Sequence, residues 1–264
     1  MSSLSEVFTT ARAESRAALI GYLPAGFPTV EGSKGYLRSM IEAGCDLVEV
    51  GLPFSDPVMD GPTIQAAAEQ ARSAGFRVRD LFDVVSSVAD AGGRAVVMTY
   101  WNPVLRYGVD AFARDLAAAG GLGLITPDLV PDEADDWMAA SEVHGLDRIF
   151  LVAPSSTEER IAMTARASSG FLYATAVMGV TGARDVVSSA APELVARVRE
   201  HTTMPVGVGL GVRSGVQAAE IAGFADGVIV GSAFVSAAAD GDGAVRALAE
   251  DLAKGVRSAA AATV

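Results

Sequence analysis

Two acids stand eleven positions apart in the stretch LVEVGLPFSDPVMDGPTIQ (47–65), Glu49 inside an apolar run and Asp60 in a loop of Gly, Pro, Ser and Asp. If the run is a strand, Leu47, Glu49 and Gly51 share one face and Val48, Val50 and Leu52 the other. A carboxyl group turned into a core loses hydration, and its pKa rises. Such an acid can both give and take a proton near neutral pH. The competing reading of Glu49 is an acid paired with an arginine or reaching out at a rim. Asp56 and Asp60 both sit in sequences suited to turns, so spacing alone does not say which of them would work with Glu49.

A second kind of chemistry is suggested near the C-terminus. The segments VGVGLGVRSG (206–215) and VIVGSAFV (228–235) bring glycines to the ends of two apolar runs. Gly231 and Ser232 open a short helical pattern. Backbone N–H groups exposed at glycines, together with a helix N-terminus, suit an anion such as phosphate. Glycines that merely close tight turns would look the same. Between these and the acids lies GVTGAR (179–184), small and polar as a closing loop over a site would be.

Apolar runs of strand length recur at 18–24, 46–52, 94–100, 121–127, 147–154, 170–177, 204–210 and 225–231. Most are nearly continuous, as parallel strands covered on both faces are. Helical patterns lie between them, and many end in a glycine suited to a left-handed cap: Gly44, Gly75, Gly92, Gly120, Gly145 and Gly223. Eight such units predict a single (β/α)8 barrel domain over 1–264, in which function sits at the C-terminal strand ends. An open doubly wound sheet would also alternate, but eight even units need closure to avoid long exposed edges. Ser3 and Glu6 have the spacing of a capping box, which predicts an extra N-terminal helix. Another short helix, following the eighth strand, would bind phosphate.

The bulk properties narrow the partners. Of 264 residues, 50% are hydrophobic and 20% charged, with a net charge of −12. That balance argues against nucleic acid and anionic membrane surfaces. Cys45 is the only cysteine, no run approaches a membrane span, and the first residues lack a secretory pattern, so a cytoplasmic protein is expected. The only lysines are Lys34 and Lys254, and the only histidines His144 and His201. All four fall in helical patterns or before a strand. Schiff-base and metal-assisted chemistry therefore lack their usual residues at the strand ends.

EVGLPFSDPVMDGPTIQ closely resembles the hallmark of the tryptophan synthase alpha subunit family. The segments MTYWNPVLRYG (98–108), ITPDLVPDEA (125–134), GVTGAR, GLGV (209–212) and GSAFV (231–235) resemble that family's segments in the same order. The resemblance implies a TIM barrel lyase that cleaves indole-3-glycerol phosphate to indole and glyceraldehyde 3-phosphate in L-tryptophan biosynthesis. It implies an α2β2 complex, no cofactor in this chain, and pyridoxal phosphate in the partner beta subunit, which receives the indole. It also implies Glu49 as general acid and base and Asp60, rather than Asp56, as the acid at the indole N–H. Tyr173 matches a tyrosine near Glu49, and Thr181 the residue of the closing loop that meets the aspartate. Gly182, Gly211, Gly231 and Ser232 match phosphate-holding positions. Tyr22, Met98 and Ile125 match the apolar lining of the indole pocket. The chain departs from the family at Val177, where many relatives carry Arg, and at Tyr22 and Met98, commonly Phe and Leu. Other readings are an isomerase or epimerase of small sugar phosphates, and a barrel kept only as a binding partner.

Overall fold

The structure, a computed structural model, describes residues 3–175, 190–209 and 211–258. Its strands are β1 (Ala18–Pro24), β2 (Leu47–Gly51), β3 (Ala95–Met98), β4 (Gly123–Ile125), β5 (Asp147–Ile149), β6 (Leu151–Val152), β7 (Leu172–Thr175), β8 (Val206–Gly209) and β9 (Gly227–Val230). All are parallel and belong to one sheet, ordered β5-β4-β3-β2-β1-β9-β8-β7-β6. β5 and β6 are two halves of one apolar run, parted at Phe150. The first half pairs with β4 and the second with β7, so this run closes a ring of eight. The expected (β/α)8 barrel is therefore present, with its fifth strand broken in two. Most ladders are shorter than the apolar runs that encode them, because the ends of those runs lead into loops.

Alternation along the strands decides what faces inward. Ala18 and Ile20 of β1, Leu47 of β2, Val96 of β3, Ile125 of β4, Ile149 of β5 and Ile229 of β9 form one buried inner cluster. Val48, Val50, Val97, Leu124, Val206 and Val208 point the other way, into the layer shared with the helices. The N-terminal helix α1 (Ser3–Ala13) closes the bottom. Its Leu4, Val7, Phe8 and Ala11 join the inner cluster, and the Phe8 ring lies 5.3 Å from that of Phe171. The bottom is also fastened by charge: the nearly buried Arg16 guanidinium donates to both Asp46 carboxylate oxygens, at 2.7 and 2.8 Å. Asp46 accepts in turn from the Leu19 backbone N–H at 2.8 Å, which ties the start of β1 to the start of β2.

Outside the strands lie α2 (Val30–Glu42), α3 (Pro62–Ser73), α4 (Val78–Asp90), α5 (Trp101–Tyr107), α6 (Val109–Ala118), α7 (Asp135–His144), α8 (Glu158–Ala167), α9 (Ala190–Arg199), α10 (Gly215–Ala222), α11 (Ser232–Asp240) and α12 (Asp242–Ser258). Of these, α3 and α5 are additions to the barrel plan, alongside the two extra helices the sequence predicts. Five of the six expected cap glycines take positive φ, from +68° at Gly145 to +115° at Gly44. Gly223 does not: its φ is −69°, and its N–H continues the helical bonding to Ala219 and Glu220, so α10 ends without a left-handed turn.

Candidate active site

Glu49 is on the inward face of β2, one step above Leu47 and opposite Tyr22 on β1 and Val96 on β3. Its residue is 1% exposed, and its Oε1 has no hydrogen-bond partner. Burial without a compensating charge pushes its pKa up to about 8. The alternative of a Glu neutralised by an arginine is thereby corrected, since no such ion pair forms at Glu49 among the described residues. At neutral pH this side chain is a neutral acid holding a proton in a dry place.

Asp60 lies in the loop between β2 and α3, only partly exposed. Burial raises its pKa to about 6, and a hydrogen bond from the Tyr100 hydroxyl draws it back the other way. Gln65 in the first turn of α3 donates to the Asp60 backbone carbonyl at 2.7 Å. Asp56 points elsewhere, accepting from the Ser55 hydroxyl at an exposed position.

Two tyrosines roof the space between these acids, and each depends on a glycine. A Cβ added to Gly51 would fall 2.6 Å from two ring atoms of Tyr22, and one added to Gly209 would fall 2.5 Å from the Tyr173 Oη. Only glycine leaves room for either ring. Lower in the barrel, a Cβ at Gly207 would press on Ile229 at 3.0 Å and on the Phe171 ring at 3.1 Å. Burial holds both phenols neutral, with pKa values well above the ordinary one. Among the charges, Asp60 acts most on Tyr22, and Glu49 most on Tyr173. Met98 and Ile125 continue the wall: the pairing registers run Gly51 to Met98 and Met98 to Ile125 across β2, β3 and β4. Met98 is half-buried and Ile125 fully buried.

Beyond β9, Gly231 leads into α11, and Ser232 is its buried first residue. The first N–H groups of such a helix have no carbonyl partner within it. A Cβ at Gly231 would lie 3.6 Å from Tyr22 Cδ1, so the Tyr22 ring stands between the acid-bearing strand and this helix start. Gly211, after β8, turns with φ +68°. Thr181, Gly182 and Val177 lie outside the described residues.

Sequence reasoning missed Tyr100. It follows β3 and is 5% exposed, its ring 5.3 Å from Phe54 and its hydroxyl accepting from the Met59 N–H at 3.0 Å. The only hint was its place at a strand end within MTYWNPVLRYG. Lys34 and both histidines are paired away from the mouth. Lys34 pairs with Glu31 at 2.8 Å, His144 with Asp110 and His201 with Glu158, both at 2.9 Å. Among the described residues no three His, Cys, Asp or Glu side chains group as a metal site requires, and no helix is long and apolar enough to cross a membrane.

The fold places the chain among the (β/α)8-barrel enzymes. The family model described as tryptophan synthase alpha chain matches residues 8–263. A tryptophan synthase alpha chain of Nocardia farcinica is 69% identical over 262 residues, covering 99% of this chain and 98% of that relative. One from Mycobacterium marinum is 68% identical over 97% of this chain and 95% of its own length. A chain from the structure of Mycobacterium tuberculosis tryptophan synthase superposes with TM-score 0.94 at 65% identity, covering 97% of this chain and 98% of its own. A chain of the tryptophan synthase complex from Pyrococcus furiosus gives 0.83 at 29% identity, covering 90% and 98%. This chain belongs to the tryptophan synthase alpha chain family. Its activity is that of a lyase, the alpha reaction of tryptophan biosynthesis.

Proposed function

We propose that Glu49 and Asp60 carry this reaction as the retro-aldol cleavage of indole-3-glycerol phosphate. Breaking the bond between the indole ring and the glycerol carbon needs somewhere for the electron pair to go. Protonation at ring carbon C3 makes the ring itself the acceptor, as an indoleninium cation. Glu49, neutral at pH 7 and facing the barrel interior, supplies that proton. Asp60, ionised at pH 7, takes up the positive charge that develops at the ring N–H. The glycerol hydroxyl on the breaking carbon then loses its proton to the Glu49 carboxylate. The carbon–carbon bond breaks, its electrons restore the aromatic ring, and indole and glyceraldehyde 3-phosphate leave. Glu49 ends as it began, protonated.

The other residues divide by position. Tyr22, Met98, Ile125 and Tyr173 line the indole space. Gly211, Gly231 and Ser232 offer backbone N–H groups to the phosphate, with Gly182 and Thr181 joining them from the closing loop. The dipole at the start of α11 favours the dianion there. We take residues 1–264 as one barrel domain in the cytoplasm. It needs no cofactor of its own and works with a beta subunit that holds pyridoxal phosphate in an α2β2 assembly. The face for that partner is the mouth of the barrel, where Val58, Leu105 of α5 and Val130 are exposed apolar residues in the connections after three successive strands.

The observation that carries this reading is the buried, unpartnered carboxyl oxygen of Glu49 on the inner face of β2. Replacing it by Glu49→Gln and following indole release, with the beta subunit present, tests the reading. General acid–base help contributes about 10²–10⁴ per group, so release should fall by at least that much. Near-parental release would end the proposal.

A further inference from the structure

The loop that carries Asp60 is held by a phenol from a different strand. Tyr100 lies just past β3, with its ring packed on Phe54 at 5.3 Å and almost no exposed surface. Its oxygen accepts from the Met59 backbone N–H at 3.0 Å, and the N–H groups of Asp60 and Val58 also bear on it. With its lone pairs turned to the loop backbone, the hydroxyl keeps its own proton, which favours the charged form of the nearby Asp60 carboxylate. Burial pushes the Tyr100 pKa up to about 12, so the proton stays in place across the working range. The next residue is fixed independently: the Trp101 N–H donates to Asp128 at 2.8 Å. Tyr100 thus has a rigid base at the head of α5.

We propose that Tyr100 is the positioning residue of the reaction, fixing through the Met59 N–H the loop that turns the Asp60 carboxylate toward the substrate nitrogen. The proposal rests on the role given to Asp60 above. A hydrogen bond to the charged form favours that form, so the phenol opposes the burial that would otherwise protonate Asp60. The groups that bear on Asp60 are Tyr100 from the end of β3, Tyr22 from β1 and Tyr173 from β7. Glu49 of β2 acts on those last two phenols. Gln65 of α3 meets only the Asp60 backbone. Tyr100 is the one that also holds the backbone of the loop carrying Asp60.

The test is a double-substitution cycle on the full chain with its beta subunit, using Tyr100→Phe, Asp60→Asn and both together. Phe keeps the ring on Phe54, and melting curves check the fold. The readouts are the pH profile of kcat/KM and the affinity for a non-cleavable indolylalkyl phosphate. Tyr100→Phe alone should move the acid limb of the profile to higher pH and weaken analogue binding roughly tenfold, as expected for a hydrogen bond to a charged group. On top of Asp60→Asn it should change affinity less than twofold. An unmoved acid limb, or a loss of equal size in both backgrounds, overturns the proposal while leaving the Asp60 reading standing. Parental activity in Asp60→Asn itself would remove the Asp60 reading, and this proposal with it.

Discussion

The two ends of the barrel are built on the same inward faces of the same strands, and they do opposite things. At the bottom, Leu47 and Ala18 meet the apolar side of α1, with Phe8 against Phe171. Two residues further along β2 the inward position holds Glu49, and four further along β1 it holds Tyr22. At the bottom α1 turns apolar side chains into the inner cluster, and the buried Asp147 at the start of β5 keeps one unpartnered oxygen near Leu4; at the mouth the unpartnered acid is Glu49, on the inward face of β2 itself. A few ångströms along a strand thus separate residues used for packing from the acid proposed to carry the proton. The closed ring lets the first set hold the second in place.

This contrast predicts separable effects. The largest is at the mouth: Glu49→Gln should cut indole formation by about 10²–10⁴ or more, with an unchanged circular dichroism spectrum. Next, Phe8→Ala at the bottom should cost about 3–5 kcal/mol of stability, measured by denaturant unfolding. Its kcat/KM should be unaltered well below the transition, and a catalytic defect there would break the division. Gly51→Ala places a methyl group against the Tyr22 ring. It should cost roughly 1–3 kcal/mol and damage KM and kcat together, because this packing is part of the pocket.

The pH dependence sharpens the same contrast. Glu49 has a folded pKa of about 8 against an ordinary value of 4.5, so between those limits the folded chain binds a proton that the unfolded chain has lost. Its contribution is therefore complete below pH 4.5 and is lost as pH rises through 8, by on the order of a few kcal/mol. Parental melting temperature should fall over that window more steeply than that of Glu49→Gln. Activity should instead form a bell, falling below about 6 as Asp60 gains a proton and above about 8 as Glu49 loses one. The smallest effect is Lys34→Ala. It breaks only a surface pair with Glu31 and should shift stability by about 0.5 kcal/mol or less.

Much of this was legible in the chain. The run 18–24 became β1 with those bounds, and alternation alone put Glu49 on the same face as Leu47. What escaped depends on contacts between distant residues. Tyr100 matters because it reaches a loop 41 positions earlier, which no local pattern encodes. Gly209 read as anion-facing or turn-closing and Gly51 only as part of the face of Leu47 and Glu49, yet each clears space for a tyrosine ring on a neighbouring strand. The break at Phe150 arises where one strand changes neighbours, a matter of ring closure rather than propensity. Choosing Asp60 over Asp56 from sequence needed the family resemblance, since both occupy turn-forming contexts. The structure shows how differently the two carboxylates are surrounded.

The Tyr22 ring touches Gly51 on one side and lies beside Gly231 on the other. On the proposed reading, one flat side chain is thus the shared partition between the compartment for the bicyclic ring and the turn that opens α11. Enlarging the first compartment by trimming this partition would also loosen the second. A version of the chain remodelled for bulkier aromatic substrates should consequently lose grip on the anionic tail at the same time, unless a new side chain restores the spacing between those two backbones.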